Sequence, residues 1–218
     1  MIEEINFETF LYVSKNRYAI FVDDKKNLKN LYKKELKINN QINIDDLSYL
    51  SKFLDENVYR IEKLVDNFIK NITLIIENDK ILNIEIGIKK KNSKQFSNQN
   101  YLKNDLTEVK DLFKENYQDQ IIMHMVVICE EELYLVVKFI SISNRIASVF
   151  DQLLEKYQIQ ISQYMSGNYI QNFFNKDVGE FSMMASKLKN GFNENEITLI
   201  SKNIGNKGFF EKFFQLFS

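Results

Sequence analysis

Residues 120–157 read QIIMHMVVICEEELYLVVKFISISNRIASVFDQLLEKY. Residues 121–129 are almost wholly apolar. Ile122, His124, Val126 and Ile128 fall on one face, and Ile121, Met123, Met125, Val127 and Cys129 on the other. A short run that is apolar on both faces predicts a strand covered on both sides, wholly or in part. Glu130, Glu131 and Glu132 mark an exposed connection, and residues 133–142 return as a second strand rich in Val and Ile. Ser143 or Asn144 can cap a following helix. In that helix Ile146, Val149, Phe150, Leu153, Leu154 and Tyr157 share one stripe, expected to pack on the sheet face of the two strands before it.

Working outward toward the N-terminus, residues 7–13 and 18–22 read as two strands joined by a turn at 14–17, with a third strand at 31–38. Asp45 and Asp46 stand where their charge favours a helix dipole. After them Leu47, Leu50, Leu54, Val58, Ile61, Val65 and Phe68 alternate steps of three and four, which predicts one long packed helix. Residues 72–77 and 81–88 read as two strands around the turn at 78–80, and residues 102–117 as an amphipathic helix. Beyond the central unit come a strand at 159–165 and short helices at 168–174 and 183–188, the last ending near Gly191. The mix of hairpins and long helices predicts an α+β fold.

Composition bounds the function. With 218 residues the chain can bury a sizeable core, and 44% apolar with 27% charged residues is ordinary for a globular protein. A net charge of −1 gives no global attraction to nucleic acid. One cysteine and one histidine exclude a disulfide framework and a cysteine- or histidine-based metal cluster, and fit a reducing compartment. Nothing in residues 1–10 reads as a signal peptide, and no run of about 18 apolar residues is present. The many Ile, Lys and Asn residues, with only three Ala, match the coding bias of an AT-rich genome. The basic stretch 89–94 could meet anionic lipid or nucleic acid; a solvated loop is the expectation.

There is no Walker A loop, GxGxxG, GxSxG or HExxH. His124 and Cys129 are an odd number of residues apart, so alternation sends them to opposite faces. His124 is expected to be a buried, hydrogen-bonded core histidine. Asp105, Glu108 and Asp111 lie on the polar face of their helix and read as solvated charge. No catalytic, cofactor-binding or metal-binding residue is expected, and neither is an enzyme.

The order of elements, together with His124 in its strand and the run Ser162-Gln163-Tyr164, resembles FtsA, the actin-like bacterial cell-division protein, over roughly residues 7–174. The best local match is 138–167. The resemblance implies an α+β, partial actin-like subdomain with an inserted small α+β subdomain of FtsA type. Residues 1–71 would be the first part of the actin-like subdomain, 72–157 the inserted interaction subdomain, and 158–200 an incomplete return. A linker at 201–208 and an amphipathic membrane-targeting helix at 209–218 would follow.

The family holds phosphate on a loop of Asp, Gly and Thr or Ser between its first two strands, where small residues let backbone N–H groups approach. Here that stretch is Tyr12-Val13-Ser14-Lys15-Asn16-Arg17, with Tyr12 for the Asp and Ser14 for a Gly. A second, glycine-containing loop should follow Phe174, yet residues 172–180 hold only Gly179. Residues 1–218 are not expected to include the half of the fold that carries the docking site for the tubulin-like FtsZ. The resemblance therefore implies a nonenzymatic scaffold, without cofactor, that binds division proteins through 72–157. An actin-like ATPase that keeps nucleotide binding, and a pilus or secretion assembly protein similar to PilM, are the alternatives.

The last ten residues complete the reading. Phe209, Phe210, Phe213, Phe214, Leu216 and Phe217 fall within an arc of roughly 160° on a helical wheel. Glu211, Lys212 and Gln215 fill the other side, with Lys202 and Lys207 upstream. An aromatic face with lysines nearby describes a helix lying in the headgroup region of a membrane. Phe209, Phe210, Lys212, Phe213, Phe214, Leu216 and Phe217 are the expected contacts with anionic lipid. They would place the protein in the cytoplasm, peripheral on the inner face of the cell membrane, with self-association tightening the attachment. A terminal helix packed on its own domain is the competing reading.

Overall fold

The first hairpin follows from its apolar runs. Phe7–Val13 (β1) and Arg17–Asp24 (β2) pair antiparallel, with Phe7 opposite Asp24 and Val13 opposite Tyr18. The computed structural model describes residues 6–27, 29–38, 47–90, 100–131, 133–175 and 181–197. Residues 10–13 and 18–22 are buried on both faces, so this sheet needs a covering layer on each side. Lys29–Lys37 (β3) adds to the outer side of β2, with a register shift at Val22/Asp23. Its exposed lysines blunt the edge against further pairing.

The long helix, Ser48–Val65 (α1), buries Leu50, Phe53, Leu54, Val58, Ile61 and Val65, as its spacing predicts. It also buries Asn57, which accepts from the Tyr32 hydroxyl at 2.6 Å and donates to the Phe53 carbonyl at 2.5 Å. The helix stops at Asp66, whose φ of 51° turns the chain left-handed. Phe68, expected to continue the stripe, therefore lies past the end and is 72% exposed. Asp45 and Asp46 lie outside the described residues.

Asn71–Ile76 (β4) runs parallel beside β1, and Gln160–Ser166 (β8) parallel beside β4, giving the order β3-β2-β1-β4-β8. Alternation then sorts the side chains. Phe10, Tyr12, Ala19, Phe21, Ile75 and Met165 share a core with Gly167–Phe174 (α4) and Phe181–Lys189 (α5). The opposite face meets α1, where the Tyr18 and Phe53 ring centroids are 6.3 Å apart. It also meets Asn144–Glu155 (α3), whose Ala147 carbonyl and Asp151 carboxylate accept from the Tyr164 hydroxyl at 3.3 and 2.7 Å.

The position of α3 corrects one expectation. Ile146, Phe150, Leu153 and Leu154 are buried as predicted, with Val149 half-buried. They belong to the unit of the five-stranded sheet, beside β8, and not to the unit of the two strands that precede them. The apolar face of those strands is already covered by another helix. Leu82–Lys89 (β5), Gln120–Glu130 (β6) and Tyr134–Ser143 (β7) form a three-stranded antiparallel sheet in the order β5-β7-β6. Asn100–Asn116 (α2) lays Leu106, Val109 and Phe113 on Met125, Leu135, Val137 and Phe139. The Phe113 and Phe139 rings stack at 4.5 Å.

The described residues thus divide into two units, one within 6–81 and 144–192, the other within 82–143 and 193–197. The first unit runs past residue 72 to residue 81, and residues 193–197 return to the second. The strands around the turn at 78–80 are not a hairpin: β4 joins the first sheet and β5 the second. Their patterns explain it. β4 is buried at Ile72, Leu74, Ile75 and Ile76, as a strand between two parallel neighbours must be. β5 alternates, with Ile84, Ile86 and Ile88 packed inward and Asn83, Glu85 and Lys89 outward. The basic residues 91–94, the linker 201–208 and the terminal stretch 209–218 lie outside the described residues.

Candidate functional site

In a sheet with parallel strands, ligands bind beyond the carboxyl ends of those strands. Here β1, β4 and β8 end together at Val13, Ile76 and Ser166, which brings the tight turn after β1 beside Glu77 and the start of α4. The Glu77 N–H donates to the Val13 carbonyl at 2.9 Å. This is also where the resemblance places a phosphate-holding loop.

The loop is closed on itself. The Ser14 N–H donates to the Arg17 carbonyl at 2.9 Å, and the Ser14 hydroxyl contacts Asn16 Oδ1 at 2.9 Å and the Arg17 carbonyl at 3.1 Å. Lys15 pairs with Asp79 across the site. Tyr12, which the resemblance sets against an Asp of that family's loop, is 2% exposed. Its hydroxyl donates to Glu77 Oε2, its ring lies 4.7 Å from Phe181, and the Arg17 guanidinium carbon stands 5.0 Å from the ring centroid. The space in front of α4 is filled as well. A Cβ on Gly167 would lie 3.3 Å from both Glu77 Cβ and Tyr12 Cε2. The first turn of α4 is capped by Ser166, whose hydroxyl accepts from the Tyr169 N–H at 3.3 Å.

Electrostatically the site offers a carboxylate where phosphate would need donors. Burial first, then the Glu77 carboxylate, push the Tyr12 hydroxyl up to about 12 from its usual 10.0. The folded state therefore holds this proton through a pH window where the unfolded chain releases it. Stability is expected to fall as pH climbs between about 10 and 12. Burial, then Asp151, raise Tyr164 in the same direction. Tyr12→Phe should lose about 1–3 kcal/mol at neutral pH by leaving Glu77 without its donor, yet show a shallower decline above pH 10. Melting temperatures followed by circular dichroism across that range check both parts; an unchanged alkaline slope would refute the assignment.

The sequence had singled out Tyr12 and Ser14 here. It had not found Glu77, Arg17 or Gly167, although a lone Glu after five buried residues of β4 was a visible signal. In the second unit His124 is fully buried, with Nδ1 2.6 Å from Glu196 Oε1, as a hydrogen-bonded core histidine should be. The parity argument for Cys129 fails, however. Register shifts at Ile122/His124 and Val127/Cys129 set His124 opposite Ile140 and Cys129 opposite Val136, which share a face. The two remain on the order of 13 Å apart along the strand. The residues expected to meet membrane, from Phe209 to Phe217, lie outside the described residues.

No protein-family model matches the chain, and no curated protein does. Among solved structures, the PilM–PilN type IV pilus biogenesis complex matches with a TM-score of 0.51 and 6% identity, over 76% of this chain and 49% of that one. At this identity the likeness is one of fold alone. The cytoplasmic domain of EpsL, an inner membrane component of the type II secretion system of Vibrio cholerae, gives a TM-score of 0.39 at 9% identity, over 74% of this chain and 56% of that one. A Bacteroides thetaiotaomicron protein with an actin-like ATPase fold and unknown function gives 0.36 at 15%, over 79% and 58%. The chain spans about half the length of each of these three structures. Among the described residues no helix is long and apolar enough to cross a membrane.

Proposed function

We propose that this chain is a nonenzymatic scaffold that uses an actin-like fold to hold protein partners in a membrane-associated assembly. The observation that carries the reading is the Tyr12–Glu77 pair. A buried aromatic ring and a carboxylate stand at the carboxyl ends of β1 and β4, where a nucleotide-binding relative needs small residues and free N–H donors. Placing a triphosphate there would require displacing the ring from Phe181 and bringing phosphate oxygens against Glu77, with Lys15 already paired to Asp79.

The PilM–PilN complex supports a pilus-type assembly as the machine served, since it is a pilus biogenesis complex of similar fold. The aromatic sequence pattern of residues 209–218 favours a second reading, a division scaffold of FtsA type, peripheral on the inner face of the cell membrane. Both share the absence of nucleotide chemistry. Calorimetry of the full chain with ATP and magnesium is expected to give no saturable heat. Binding with a micromolar Kd would overturn the scaffold reading and restore the ATPase alternative. Binding assays with purified candidates separate the two machines, by whether pilus and secretion assembly proteins or division proteins are retained.

A further inference from the structure

After Phe192 the chain enters the second unit as an added edge strand. The Ile197 N–H donates to the Met125 carbonyl and the Val127 N–H to the Asn195 carbonyl, both at 2.8 Å, with Glu196 opposite Val126. Asn193 shapes the entry. Its side chain accepts from the Asn195 N–H at 3.1 Å and its carbonyl from the Glu196 N–H at 3.0 Å. The Glu196 side chain then reaches Nδ1 of the fully buried His124, and Ile197 packs against the core that α2 shares with β6 and β7.

We propose that residues 193–197 are a releasable strap, and that the β6 edge beneath them, at 125–127, is a docking strip for an extended partner peptide presenting a carboxylate followed by an aliphatic side chain. The seated strap displays the chemistry the strip accepts. The main-chain groups of Met125 and Val127 supply the ladder, His124 selects a carboxylate opposite Val126, and the core beside Phe113 and Val137 selects the aliphatic neighbour. Strand addition to a sheet edge works in this way, with backbone bonds giving affinity and alternate side chains specificity. The strip is also delimited. The register shifts of β6 at Ile122/His124 and Val127/Cys129 bracket it.

Release concerns a short segment at the edge of the sheet. Among the described residues two backbone bonds tie it to β6, whereas β6 and β7 pair at nine positions. Glu194 and Asn195 are exposed, and only Asn193 is buried. A short edge segment with a partly exposed backbone opens ahead of the sheet it rests on.

Two measurements on the full-length chain test this. In amide hydrogen exchange, Val127, bonded to the strap, should exchange roughly a hundredfold faster than Val137 in the central strand. Equal protection would overturn the proposal, because the strap would then open only with the whole sheet. In fluorescence anisotropy, a labelled peptide of residues 193–200 should bind a Glu196→Lys, Ile197→Asp variant roughly tenfold or more tightly than the wild-type chain, whose own strap competes at high effective concentration. The same peptide carrying Glu196→Lys should lose that binding. Equal binding to both chains, binding to neither, or indifference to the peptide's carboxylate would each overturn it.

Discussion

Phe150→Ala is expected to cost about 3–5 kcal/mol of stability, the usual penalty for emptying a fully buried phenylalanine site. Phe150 is 1% exposed on the inner stripe of α3, between Ile146, Leu153 and Leu154. The helix is tethered beside β8 by the Tyr164 hydroxyl, so it cannot slide to refill the space without breaking the bonds to Ala147 and Asp151. Phe139→Ala tests the other unit. Its ring is fully buried and stacked on Phe113, which adds about 0.5–1.5 kcal/mol to the loss of burial. Chemical denaturation gives the magnitudes, and hydrogen exchange says where each loss falls. For Phe150→Ala the amides of α3 and β8 should lose protection first, and for Phe139→Ala those of β5, β6 and β7. A cost below about 1 kcal/mol for Phe150→Ala would show α3 to be a surface helix and the layer assignment wrong.

Most of the elements were legible because each has a clean period. The stripe of α1 from Leu50 to Val65, the doubly buried runs of β1 and β2, and the alternation of β5 are all visible in the sequence. What failed was the assignment of partners. The stripe of α3 shows that the helix buries one face, but not which sheet it buries it against. That depended on α2 having covered the α2-facing side of β6 and β7. In the same way β4 and β5 follow one another across the turn at 78–80, yet only their patterns separate a strand between parallel neighbours from an edge strand. Bulges in β6 defeated the parity argument for His124 and Cys129, since a one-residue insertion reverses every later side chain and no residue type announces it here.

The candidate site divides in the same manner. That Tyr12 stands where the resemblance expects a small acidic loop residue came from the resemblance and from the position of Tyr12 at the end of its strand. That its hydroxyl bonds Glu77, and that both fill the space before Gly167, required the register of β1 on β4 and of β4 on β8. The strap at 193–197 was the least visible of all. Its sequence is polar and short, and its role comes from the edge of β6, on which it lies some seventy residues downstream.

Removal of the terminal residues is expected to abolish attachment to lipid. The full-length chain should float with anionic vesicles in a density gradient, while a chain ending at Lys207, or one carrying Phe213→Glu, should stay at the bottom. The expectation rests on the sequence of residues 209–218. Phe209, Phe210, Phe213, Phe214, Leu216 and Phe217 share one side, and each Phe contributes at most about 1.5–3 kcal/mol when fully buried and less when half inserted. Lys202, Lys207 and Lys212 each add about 1 kcal/mol on an anionic surface, so flotation should weaken with salt and on neutral vesicles. A segment of ten residues is too short to be a stable isolated helix in water, and ordering it on the membrane offsets part of that gain. Attachment of a single copy should therefore be reversible, and a dimerised variant should float at lower lipid concentration through avidity. Phe213→Glu places a charge in the middle of the aromatic side and tests the face itself, since the length of the chain is unchanged. If the shortened chain floats as well as the full one and melts at a lower temperature, residues 209–218 are packed on the protein and the membrane reading is wrong.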